Sequence, residues 1–222
     1  KYAKTAKQRW DWAEVGDQEE KSSTLLQSVL EKEGFEIEAG VAGMPTSFIA
    51  TYGSGSPVIG VLAEFDALPG LSQKATTHQD PVVKEGAGHA CGHHLFGSGS
   101  VAAAIAIKDW LIKSGTTGTI KLFGCPAEEG GAGKVYMVRE GLFNDVDVVL
   151  HWHPSSINRV QPLATSLSNK SAKFRFYGQP SHAAAAPEKG RSALDGVEAM
   201  NVMVNLMREH VPEKSRIHYV IT

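Results

Sequence analysis

Residues 57–66 read PVIGVLAEFD, an apolar run that stops abruptly at Glu64, Phe65 and Asp66. A run with so little alternation is the pattern of a strand covered on both faces, as in the parallel sheets of α/β proteins. Its acids then stand at a strand's carboxyl end, where such sheets gather their ligands. Working outward, TSFIATY (46–52) and TIKLFG (119–124) also read as strands, and VDVVLHWH (146–153) reads as a shorter one. Between them, GSGSVAAAIAIKDWLIKS (97–114) has helical period and high alanine content, and a second helix is expected near 132–141. Upstream, Asp17 and Glu20 have capping-box spacing, an apolar stripe runs through Leu25, Leu26, Val29 and Leu30, and Gly34 is a stop, so a helix is expected over 18–33. Strand and helix alternate, which predicts an α/β fold with a largely parallel sheet flanked by helices.

A polar stretch, PSSINRVQPLATSLSNK (154–170), follows, and a domain boundary is expected there, between residues 163 and 164. Beyond it, AKFRFYG (172–178) reads as a strand, 191–209 as a helix and IHYVIT (217–222) as another strand. Residues 1–163 would then form the larger domain and 164–222 a smaller α+β piece. That piece is small for an independent core, so it is expected to continue or to pack on something else.

Composition narrows the function. With 22 Lys plus Arg against 24 Asp plus Glu, the net charge of −2 gives no drive toward nucleic acid or an anionic membrane, and neither partner is expected. No run of about 18 apolar residues is seen, so no spanning helix is expected. Two cysteines, Cys91 and Cys125, cannot make a disulfide framework, which favours a reducing compartment and a cytoplasmic location.

Chemistry concentrates in three strings. GAGHACGHH (86–94) sets Cys91 and His93 two apart among glycines, a thiolate and an imidazole suited to zinc or a similar ion. PAEEGG (126–131) presents Glu128 and Glu129 at a strand end, where one carboxylate can bind a metal while its neighbour acts on water. HWHP (151–154) adds His151 and His153, of which one is expected at the site. Each string alone has a bland reading as a solvated turn or a packing histidine, but all of them fall at the carboxyl ends of consecutive elements. His78, His89, His210 and His218 share no such cluster and are expected to be surface or packing residues. Gly97, Gly99 and Ala102 match a dinucleotide-loop pattern but follow no strand, and GGAGKV lacks the first glycine and the hydroxyl of a phosphate loop.

Together EFDALPG (64–70), GHACGHH (88–94), CPAEEGGAGK (125–134), HWHP and GQPSHAAAAPEKG (178–190), in this order, resemble the metal-dependent amidohydrolase family of hippurate hydrolase, aminoacylase and carboxypeptidase G. The similarity is greatest to the B-type subunits of aminobenzoyl-glutamate hydrolases within it. The resemblance implies a catalytic domain bearing one or two divalent ions, zinc or manganese first, and a smaller lid or dimerisation domain through which the chain forms a homodimer. It implies Cys91, His93, Glu129 and His153 as metal ligands, Glu128 as general base and Asp66 as the aspartate that orients the site. His182 would steady the oxyanion in a partner subunit's site. Glu64 stands where other branches carry a metal-binding histidine, and His94 replaces a common Asp or Asn. The implied activity is hydrolysis of an amide in an N-acyl amino acid, aminobenzoyl-glutamate-like, or in a small dipeptide. The rivals are a dipeptidase for unusual amino-terminal groups and a catalytically silent, dimerising homologue. Because family members return to the large domain after the small one, the chain is expected to be truncated.

Overall fold

The computed structural model describes residues 2–160 and 165–222, so the expected boundary at 163/164 lies outside the described residues. The chain divides into two compact units, Lys1–Asn158 and Arg159–Thr222.

In the first unit the helices are α1 (Tyr2–Trp12), α2 (Glu20–Glu31), α3 (His93–Ser114) and α4 (Gly133–Arg139). The strands are β1 (Glu36–Ala39), β2 (Phe48–Ser54), β3 (Val58–Glu64), β4 (Gly118–Cys125) and β5 (Val148–Leu150). They form one five-stranded sheet in the order β1-β2-β4-β3-β5. The apolar run ending in Glu64 is β3, and it lies between β4 and β5, parallel to both. β1 pairs with β2, and β2 with β4, antiparallel, so the sheet is mixed, with its parallel part on the side that carries Glu64 and Asp66. β2 and β3 are consecutive in the chain, yet β4 is inserted between them.

Period-2 alternation sorts the strand side chains onto two faces. Phe48, Ala50, Ala63, Ile120 and Leu122 point to one core with Leu26, Leu30, Val101, Ala104 and Ile105. Ile49, Leu62, Phe123 and Cys125 point to the other, beside Val41 and Met137. Arg9 of α1 is fully buried and pins the first turn of α3, donating from Nη2 to Ser98 Oγ at 2.9 Å and to the His94 carbonyl.

Three sequence expectations for this unit change. α3 starts at His93, four residues before the expected 97, and its added first turn, His93–Phe96, is anchored by the buried His93 and Phe96 and follows the left-handed Gly92. The Asp17–Glu20 capping box does not form. Asp17 has a φ of 66°, and the residue preceding α2 is Glu19, whose side chain makes no cap. α3 is also long and apolar enough to cross a membrane by length and composition, which corrects the expectation that no such stretch exists. Half of that window is buried in this unit, as befits a core helix against a sheet.

In the second unit, α5 (Ala193–Met207) fills most of the expected 191–209 helix and is capped by Ser192, whose Oγ accepts the Asp195 amide at 3.1 Å. The expected strands at 172–178 and 217–222 join no ladder among the described residues, and only an isolated Gln179–Arg191 bridge is present. Alternation is a local signal, whereas a strand also needs a partner in register.

Candidate metal centre

The parallel strands deliver the polar strings to one place. β3 ends at Glu64 and leads to Asp66, β4 ends at Cys125 and leads to Glu128 and Glu129, and β5 leads to His151 and His153. α3 opens on His93 directly after Cys91 and Gly92.

His93 is the hub. It is fully buried, and its Nδ1 lies 2.9 Å from Asp66 Oδ1. The other Asp66 oxygen accepts the Glu129 amide at 2.9 Å. The opposite ring nitrogen, Nε2, lies 3.1 Å from Glu64 Oε2, 3.9 Å from Glu128 Oε2 and 4.0 Å from Glu129 Oε1. Cys91 Sγ stands 3.3 Å from His153 Nε2. Two groups of donors, Cys91, His93 and His153, and Glu64, His93 and Glu128, each have their atoms within 4.8 Å of one another.

Electrostatics separate these groups. Burial opposes the charged imidazole of His93, but hydrogen bonds to Asp66 and Glu64 raise its pKa to about 10. Burial, followed by the Glu129 contact and the nearby carboxylates, pushes the Cys91 thiol up to about 12. Without a cation the thiol therefore keeps its proton. Burial also raises the Glu128 carboxyl, helped by the charge of Glu64. Burial alone would raise Glu64 too, yet His151, His93 and Lys134 outweigh it and hold Glu64 below the ordinary carboxylate range. Lys134 Nζ sits 2.5 Å from Glu64 Oε1, and His151 Nε2 lies 3.5 Å from the same oxygen.

The donor set suits a divalent ion. Glu129 Oε1 is buried without a hydrogen-bond partner, and beside it His93 Nε2 and Glu64 Oε2, buried 3.1 Å apart, have no partner beyond each other. Buried polar atoms are rarely left this way, and here they point at one another around a thiol and a second imidazole.

Of the residues singled out from sequence, Asp66, Cys91, His93, Glu128, Glu129 and His153 come together, while His182 belongs to the second unit. There its Nδ1 accepts the amides of Ala184 and Ala185 at 3.2 and 3.0 Å, so the proton sits on the exposed Nε2. Both HWHP histidines reach the cluster, not one, since residues two apart in an extended strand share a side. Trp152 between them is wedged onto α3, its Nε1 donating to Ser100 Oγ at 3.1 Å. Gly99 makes room for it, as a Cβ there would lie 2.6 Å from Trp152 Cζ2. Lys134 was missed, because in sequence it belongs only to a failed phosphate-loop pattern. His89 is a buried packing histidine, 3% exposed.

Known proteins are similar to this chain in sequence and in fold. Residues 60–213 match the model of peptidase family M20/M25/M40. The chain is 48% identical over its whole length to the B-type subunit of p-aminobenzoyl-glutamate hydrolase from Escherichia coli (strain K12), of which it covers 46%. It is 31% identical to the Xaa-Arg dipeptidase of Mus musculus over 81% of the chain and 39% of that protein. Among solved structures, it resembles a dinuclear metal-binding peptidase of the M20 family from Bacillus subtilis, with a TM-score of 0.58 and 26% identity over 69% of this chain and 43% of that one. The chain thus spans less than half the length of each of these relatives.

Proposed function

The chain belongs to peptidase family M20/M25/M40, and from that premise we propose that the protein hydrolyses an amide bond with the help of one or two divalent ions. Cys91, His93, Glu129 and His153 would hold the metal, zinc by the thiolate and imidazoles of the set or manganese by its carboxylates. The observation that carries this reading is the buried Nε2 of His93, which faces three carboxylates, Glu64 at 3.1 Å, Glu128 at 3.9 Å and Glu129 at 4.0 Å.

A bound ion would supply Lewis acidity toward the scissile carbonyl and bring water's pKa down toward about 7. Glu128, more exposed than its neighbour and with a raised pKa, takes the proton from the attacking water and returns it to the leaving amine. Asp66 fixes the His93 ring through Nδ1, leaving Nε2 as the ligand atom. Glu64 is held as an anion by Lys134 and stands 3.1 Å from Nε2, on the ligand side of the His93 ring. His182, its Nε2–H directed outward, donates to the developing oxyanion in a partner subunit. The homodimer would form through the second unit, whose α5 exposes Val202, Met203 and Leu206.

The substrate would be an N-acyl amino acid of the aminobenzoyl-glutamate kind, after the relative that matches the whole chain. The 31% identity to a dipeptidase favours, as a second reading, a dipeptide with an unusual amino-terminal group. A silent homologue would have no chemical need for the Cys91, His93 and Glu128 cluster. Because Cys91 and Cys125 are both free thiols, the protein would work in a reducing compartment, the cytoplasm. Metal analysis with a hydrolysis screen over N-acyl amino acids and dipeptides tests the reading. Retention of a divalent ion with cleavage of one substrate class is expected, and a folded full-length protein that binds none would overturn it.

A further inference from the structure

The segment ahead of α2 grips two ends of the cluster at once. The Glu14 carbonyl accepts the Ala67 amide at 2.8 Å, and Val15 bridges Ala67, next to Asp66. Four residues on, Glu19 is fully buried. It does not cap the helix it precedes. Its Oε1 accepts the Ala127 amide at 2.7 Å, and its Oε2 accepts the Thr46 hydroxyl at 3.1 Å.

Ala127 is the residue before Glu128, and its φ of 51° is a left-handed conformation disfavoured for any residue with a Cβ. Such a conformation persists only where its surroundings enforce it. Here they do so on two sides. The Ala127 carbonyl accepts the Gly131 amide at 2.9 Å, closing the turn that holds Glu128 and Glu129. Gly16 lies so close that a Cβ on it would sit 2.9 Å from Ala127 Cα. A bond to a buried carboxyl oxygen fixes one peptide plane, and a buried acid is costly to keep if that plane had no task.

We propose that Glu19 is a positioning residue, which holds the left-handed Ala127 peptide and thereby aims Glu128 into the cluster. It lies outside the residues matched by the family model, which begin at 60. The inference rests on the reading of Glu128 as the general base.

The test compares Glu19→Ala, Glu19→Met and Glu19→Gln in the full-length protein by amide hydrogen exchange at Ala127 and by steady-state kinetics. Glu19→Ala should lose Ala127 protection and lower kcat by about 10- to 100-fold, with KM and bound metal unchanged, the scale set by small misplacements of a reacting group. Glu19→Met fills the space without an acceptor and should show the same loss where Glu19→Ala fails to fold. Glu19→Gln keeps a carbonyl oxygen for the Ala127 amide and should recover most of both signals. Unchanged exchange at Ala127 in an active parent background would overturn the role of Glu19 alone, as would a fall in kcat that Glu19→Gln does not recover. A metal-loaded parent that cleaves no amide would overturn the reading of Glu128, and the positioning role with it.

Discussion

Asp66 joins two separate parts of the cluster through its two oxygens: Oδ1 lies 2.9 Å from His93 Nδ1, and Oδ2 accepts the backbone amide of Glu129 at 2.9 Å. One carboxylate therefore sets a ring orientation on α3 and a peptide orientation after β4. Replacing it with alanine should weaken divalent-ion affinity by about 10- to 100-fold, the usual cost of losing a carboxylate behind a ligating histidine. Titration calorimetry with zinc would measure this, and undiminished affinity in a folded Asp66→Ala protein would count against His93 as a ligand.

Glu128→Gln should keep the metal and slow turnover by about 100-fold or more, because the amide has the shape of the carboxylate but accepts no proton. Glu129→Gln should instead reduce metal content. The pair of measurements separates the two neighbours, and near-parental turnover in Glu128→Gln would remove it from the role of base.

Gly99→Ala should displace Trp152, whose ring a Cβ would meet at 2.6 Å. Overpacking of this kind costs about 1–3 kcal/mol, visible as a lowered melting temperature. Since Trp152 sits between His151 and His153, the same substitution should weaken zinc binding. Trp152→Phe should lose the bond to Ser100 together with the indole's packing on Gly99, a loss of about 1 kcal/mol or more.

His182→Ala and Glu128→Gln proteins, each strongly slowed alone, should regain partial activity when mixed if the histidine acts across a dimer. Verified mixed dimers that remain as slow would place its action within one chain.

The parts of the fold most legible in sequence were those whose signal is local. The unbroken apolar run of β3 and the alanine-rich body of α3 announced themselves. The start of α3 did not, since His93 and His94 belong in sequence to the GHACGHH string, and nothing local marks His93–Phe96 as the first turn of a helix. Residues 172–178 and 217–222 carry strand alternation without a ladder, because pairing depends on residues far away in the chain. In the cluster, Cys91, His93, Glu128 and Glu129 were legible because their types and spacing carry chemistry. Lys134 and Glu19 were not. Each acts on a residue 70 or 108 positions away, and no short motif encodes such a reach.

The insertion of β4 between β2 and β3 ties assembly of the cluster to the order in which the sheet is built. β2 and β3 emerge consecutively but cannot pair with each other; each waits for a strand that follows the 22-residue α3. Such long-range pairing is slow, and both strands keep open edges until it is made. Glu128 and Glu129 follow directly on that late strand, so the cluster can exist only once β4 is in place. An ion that binds the finished cluster would then act as a latch on the finished sheet, favouring chains in which β4 has found its slot.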